Sequence, residues 1–81
     1  MLTSQRLIDA INQQIGHEFS AMLQYHAISA YFDAETLPGL SEHFARQAEE
    51  EKKHALLFIQ YVTDTGARAD IPAIPAPQCA Q

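Results

Sequence analysis

Phe44-Ala45-Arg46-Gln47-Ala48-Glu49-Glu50-Glu51-Lys52-Lys53-His54-Ala55 is the stretch on which the fold turns. No Gly or Pro interrupts it, and most of its residues favour helix. Continued in both directions it yields Leu40, Phe44, Gln47, Glu51, His54, Phe58, Tyr61 and Thr65 at spacings of three and four. That series predicts the buried seam of an amphipathic helix running from about Pro38 to Thr65. At mid-length the seam turns polar, at Glu51 and His54. A Glu-x-x-His spacing directs a carboxylate and an imidazole to the same place.

Upstream, the chain from Ser4 to about Asp33 holds one Gly and no Pro. Its seam is Ile8, Ile11, Ile15, Glu18, Met22, Tyr25, Ser29 and Phe32, again broken once, by Glu18. Asp33 to Leu37 form the expected turn into Pro38, a residue favoured in the first turn of a helix. In an antiparallel hairpin, residues equidistant from the turn lie level. Glu18 and the Glu51/His54 pair are both about 17 residues, or ~26 Å, from position 35. The three ionisable groups therefore share one layer, at mid-height in both helices. Carboxylates on a buried seam are costly unless paired, protonated or bound to a metal, and no Lys or Arg stands on either seam. Mixed oxygen and nitrogen donors suit iron or manganese.

The mid-height position also bears on assembly. Two hairpins related by a two-fold axis bring their polar layers together at full helix overlap. The expected fold is therefore all-α: an antiparallel two-helix hairpin over residues 1–66 that homodimerises into a four-helix bundle. Its interior layer would hold two Glu18, two Glu51 and two His54. Four carboxylates and two divalent ions leave that layer formally neutral. Without metal, mutual repulsion keeps some of the carboxylates protonated. Gly66 is the expected stop of the second helix. Residues 67–81, with Pro72, Pro75 and Pro77, are expected to be extended and polyproline-like.

Composition narrows the remaining choices. The chain has 81 residues, 47% of them hydrophobic and 19% charged, which is too apolar for a disordered segment. One cysteine, Cys79, makes no disulfide scaffold and fits a reducing compartment. The longest apolar run, Ala55 to Ile59, is far below the ~20 residues needed to span a bilayer, and no secretory signal opens the chain. A net charge of −5 argues against nucleic-acid or anionic-membrane partners. The expected location is the cytoplasm.

At these residues the chain resembles the ferritin family. Ile15-Gly16-His17-Glu18, the following Tyr25 and Ala30-Tyr31-Phe32-Asp33 look like the first helix of a ferritin bundle, and Phe44 to Ala55 looks like the second. The resemblance covers roughly residues 5 to 77. A ferritin subunit supplies four helices, whereas these motifs make two. Encapsulated ferritins, which resemble this chain in that respect, build a di-iron site across a dimer interface. The resemblance implies Glu18 and His54 as terminal iron ligands and Glu51 as the carboxylate bridging two irons. It implies Glu50 as an accessory acidic position and Tyr25 as a tyrosine that hydrogen-bonds a ligand carboxylate. An encapsulin shell is a partner by the same analogy, although no docking peptide is evident after Pro77.

The function this implies is a ferroxidase. It would oxidise Fe²⁺ to Fe³⁺ with O₂ or peroxide at a di-iron site across a homodimer interface, for iron storage or detoxification. Mn or Zn are the substitute metals. Two other classes fit the same ligands: a di-iron oxidase or peroxide scavenger without storage, and a non-catalytic metal-binding assembly module. His17, His26 and His43 lie off the seams and are expected in solvent. Met22 is expected as core filling, and Cys79 as an incidental thiol. Leu23, Ala27, Ala30, Tyr31, Leu56 and Ile59 also lie off the seams. They mark either a second homo-oligomeric interface or the surface beneath the tail.

Overall fold

A computed structural model describes residues 4–78. It contains two α-helices, α1 (Gln5–Ala34) and α2 (Pro38–Asp64), and no strand among those residues. Ser4 caps α1, its hydroxyl accepting from the Leu7 N–H at 3.2 Å, which satisfies one of the free donors of the first turn. Between the helices, the Leu37 N–H bonds to the Phe32 carbonyl at 2.9 Å and the Thr36 N–H to the Asp33 carbonyl at 3.1 Å. Thr36 takes φ 58° to close this turn. Pro38 then starts α2 at a position whose N–H would have had no helical partner. Past Thr65, Gly66 adopts φ 86°, the left-handed conformation that ends helices and that glycine reaches at least cost.

The helices pack along one line from each. On α1 that line carries Ile8, Ile15 and Ser29; on α2 it carries Ala48, Ala55 and Val62 at seven-residue steps. Ile8, Ile15 and Val62 are fully buried and gather Ile11, Phe19, Phe58, Ile59, Ala67 and Ala69 around them. Towards the turn, the Ser29 hydroxyl donates to the Ser41 carbonyl at 2.7 Å. Tyr25 and Phe32 flank Phe44, with ring centroids 6.0 and 5.7 Å away.

The seam expected to be buried on α2 meets α1 only along one edge, and the fully buried line is the neighbouring one of Ala48, Ala55 and Val62. Leu40, His54 and Tyr61 are exposed, while Phe44, Gln47, Glu51, Phe58 and Thr65 are only half-buried. The reason is geometric. The molecule measures 50 × 19 × 12 Å, so it is two helices wide and one helix thick. One helix covers only one stripe of its neighbour, and the small alanines provide that stripe. The larger apolar residues line an adjoining face that has no helix across it among the described residues.

Residues 67–78 are neither helix nor strand and run back along α1. The Asn12 side chain, nearly buried, donates to the Arg68 carbonyl at 3.4 Å and accepts from the Asp70 N–H at 3.2 Å. Twelve residues further along α1, the Gln24 amide pairs in the same two-sided way with the backbone of Gln78. Between these clamps Pro72 sits over Gly16, where a Cβ would lie 2.5 Å from the proline Cγ. Gly16 is therefore a close-approach site for the tail. Of the off-seam residues, Ile59 joins the core, Tyr31 stacks edgewise on Phe32 and Leu56 remains exposed. Cys79 and residues 80–81 lie outside the described residues.

Candidate metal centre

The middle of the exposed apolar face carries the polar layer. Glu18 comes from α1, and Glu51 and His54 come from one face of α2 through their i,i+3 spacing. His54 Nδ1 lies 3.6 Å from a Glu18 oxygen and 3.7 Å from a Glu51 oxygen. One ligand atom from each residue falls within 4.8 Å of the others. The Glu18 and Glu51 side chains are 13% and 21% exposed, and that of His54 is 49% exposed. The layer thus lies at the surface of the rod but is walled by protein on its carboxylate side.

The two carboxyls shift one another in opposite directions. A hydrogen bond from Glu51 holds Glu18 below the usual carboxylate range against the opposing effect of burial, and Gln14 and His54 add to the lowering. The same hydrogen bond, seen from the other side, pushes Glu51 up, with burial and the Glu18 charge acting in the same direction. Gln14 donates to Glu18 at 3.2 Å from one helical turn earlier, so Glu18 is oriented by its own helix. The Gln14/Glu18 spacing of four could have disclosed that support from the sequence alone.

Two carboxylate oxygens and an imidazole nitrogen at these separations form a donor set for one divalent cation. Metal–ligand bonds of ~2.0–2.2 Å place neighbouring donors ~3–3.5 Å apart, so side-chain rotations that move the ligand atoms by about 1–2 Å close the set. Hard oxygen donors with one imidazole fit iron, manganese or zinc.

The remaining residues singled out by sequence lie elsewhere. Glu50 points away from the layer, 55% exposed and paired with Lys53 at 3.5 Å. Tyr25 stands two turns above Glu18 with its ring on Phe44, and no hydrogen bond joins it to Glu18 or Glu51 among the described residues. His26 and His43 are exposed, and His43 meets Phe44 edge-on at 5.0 Å. His17 is exposed on the opposite side, in a groove it shares with Gln13, Ser20 and the tail prolines.

Comparison with known proteins bears on the same region. The family model for a ferritin-like domain matches residues 8–80. Bacterioferritin BfrB of Mycobacterium tuberculosis is 45% identical over 64 residues, which cover 79% of this chain and 35% of that protein. A bacterial non-heme ferritin of Staphylococcus aureus is 38% identical over 77 residues, 95% of this chain and 46% of the relative. An open-pore ferritin from the hyperthermophilic archaeon Archaeoglobus fulgidus superposes with a TM-score of 0.91 at 29% identity, covering 96% of this chain and 48% of that one. The chain therefore spans between a third and a half of the length of the relatives it matches.

Proposed function

The chain belongs to the ferritin family, and from that premise we propose that it oxidises Fe²⁺ to Fe³⁺ at a di-iron site formed between two copies. The observation that carries the reading is the convergence of Glu18, Glu51 and His54 on an open face, level with the middle of both helices. A two-fold axis through that face superposes two such layers without offsetting the helices. The pair then holds two Glu18 and two Glu51-x-x-His54 motifs, the constellation of ferritin-like di-iron carboxylate bundles.

Ferrous iron is the substrate. Glu18 and His54 hold one ion from one chain, and Glu51 bridges towards the second. Glu51, which holds its proton more tightly than an ordinary carboxyl, gives it up as an ion binds, so both carboxylates face the ions charged. Two ferrous ions yield two electrons, which with two protons reduce O₂ to hydrogen peroxide or peroxide to water. Ile15, Met22 and Phe58 limit water around the layer. Glu50 supplies an accessory contact for incoming ions, and Tyr25 orients a carboxylate once the bundle is closed. The oxidised iron passes to storage or is rendered harmless in the cytoplasm. Mn²⁺ and Zn²⁺ occupy the same donors without turnover.

Fe²⁺ oxidation, followed by absorbance, tests the reading in wild type and Glu51→Ala. A large loss of rate in the variant supports it, and equal rates remove the catalytic assignment. Iron uptake well beyond two ions per pair identifies storage, whereas saturation at two identifies an oxidase without it.

A further inference from the structure

Asn12 and Gln24 fix the tail to α1 at two points, and the tail between them is longer than the stretch of helix it follows. From Asp70 to Gln78 an extended chain reaches ~25 Å, whereas α1 rises only ~18 Å from Asn12 to Gln24. The surplus leaves the tail no straight course. Beside its contact at Gly16 and Pro72 it stands off α1 over a groove of about 370 Å³. The two walls of that groove differ. Gln13, His17 and Ser20 form one, at spacings of four and three that put them on a single face of α1, turned away from Glu18. Pro72, Ala73 and Pro75 form the other. Neighbouring amides on α1 are engaged, Asn12 and Gln24 with the tail and Gln14 with Glu18. Among the described residues, the side chains of Gln13, His17 and Ser20 make no hydrogen bond, although each can both donate and accept.

We propose that this groove binds a neutral, planar heteroaromatic molecule of one or two rings, its face on the prolines and its hydrogen-bonding edge on Gln13, His17 and Ser20. The lining selects that class by elimination and by fit. It contains no Asp, Glu, Lys or Arg, and the chain carries −5, so anions are not drawn to it. A single imidazole without a carboxylate or thiolate beside it makes no metal site. Pyrrolidine rings present flat apolar surfaces, the same surfaces by which proline-rich segments pack on aromatic rings. The volume falls at the small end of ligand pockets, which admits one or two rings and little more. Both walls are in place beforehand, because the tail is clamped at each end and pressed on Gly16, so binding orders little that is not already ordered.

Adenosine, whose two-ring base has that form and which carries no charge, is the probe. Titrated into the isotope-labelled, metal-free chain in chelator and followed by amide NMR, it is expected to shift the Gly16, His17 and Ser20 signals saturably, with a Kd of about 1 mM or tighter. His17→Ala and Ser20→Ala, at exposed and half-buried positions, should each weaken binding about 2–10-fold. Adenosine monophosphate should bind no more tightly than adenosine. Lack of saturation by about 10 mM, unchanged affinity in both variants, or shifts centred on His54 and Tyr61 of the open face would each overturn the site. Tighter binding of the monophosphate would overturn the neutral class of ligand. The sample holds no metal, so none of these outcomes bears on the ferroxidase reading.

Discussion

His54 Nδ1 stands 3.6 Å from the carboxylate of Glu18, on a different helix and far away in sequence. The contact exists because the helices are antiparallel and both residues are equally distant from the turn at Thr36. Glu51 shares the same space, 3.7 Å from the imidazole, and this crowding of two carboxyls determines how the hairpin responds to pH.

Stability of the metal-free chain should pass through a maximum in the mildly acidic range. Glu51 is raised, chiefly by its hydrogen bond to Glu18, so its contribution is present while it is protonated and is lost as pH rises through its folded value. Glu18 is lowered, chiefly by the hydrogen bond from Glu51, so its contribution is lost as pH falls through its folded value. Denaturant unfolding in chelator, repeated across pH, should show both flanks. Glu51→Gln keeps a hydrogen-bond donor beside Glu18 and should abolish the alkaline flank alone. An alkaline flank that survives in Glu51→Gln would show that another group is responsible.

Cation affinity should rise over the interval in which Glu51 loses its proton, because the proton and the metal compete for the same oxygens. Calorimetric titration with Zn²⁺ in buffers of different ionisation enthalpy should report proton release on binding. No dependence on buffer would mean that cation binding takes no proton from Glu51.

The two faces of α2 should respond oppositely to substitution. Ala48 and Ala55 are fully buried against α1, so Ala55→Leu overpacks the line and should cost ~1–3 kcal/mol. It should also weaken cation binding by moving Glu51 and His54 away from Glu18. Tyr61, half-exposed on the open face, should tolerate Tyr61→Ser within ~0.5 kcal/mol for the separate chain while losing association. Unfolding at a concentration below pairing, set beside mass in solution, distinguishes the two outcomes.

That contrast also marks what the sequence reveals and what it conceals. Glu18, Glu51 and His54 are legible because an ionisable residue on an apolar seam is conspicuous, and the turn at Pro38 fixes their common height. The line by which α2 meets α1 is not legible in this way. Alanine carries little hydrophobic signal, so Leu40, Phe44, Phe58 and Tyr61 dominate the periodicity; Leu40 and Tyr61 mark the open face, and Phe44 and Phe58 lie half-buried at its edge. The tail clamps are harder still. The partners of Asn12 and Gln24 are backbone groups at Arg68, Asp70 and Gln78, which no side-chain pattern encodes.

Thr36 should be a stabilising site. Its φ of 58° costs a β-branched residue ~1–2 kcal/mol relative to helical backbone. Asn tolerates that conformation without the added unfolded-state freedom of Gly. Thr36→Asn should therefore raise stability by ~0.5–1 kcal/mol, or about 3–6 °C in Tm for a chain of this size. Thermal unfolding in chelator measures it, and an unchanged Tm would mean that the turn relaxes freely around threonine.

Gly16 and Pro72 should behave as a coupled pair. A methyl group at position 16 would sit 2.5 Å from Pro72 Cγ and 3.3 Å from its Cδ, so Gly16→Ala must push the tail off α1. Against that stands a gain of ~1 kcal/mol in helix propensity. Overpacking costs ~1–3 kcal/mol, so the net effect should be a small loss of stability with helicity unchanged. The local effect should be larger. Amide exchange at Asp70, whose N–H is held by Asn12 at 3.2 Å, should accelerate, as it should in Asn12→Ala. Pro72→Ala removes the clashing ring, so adding it to Gly16→Ala should restore protection at Asp70 and reveal the propensity gain. Additive effects of the two substitutions would mean that the ring and the glycine do not meet, and that the tail is held by its amide clamps alone.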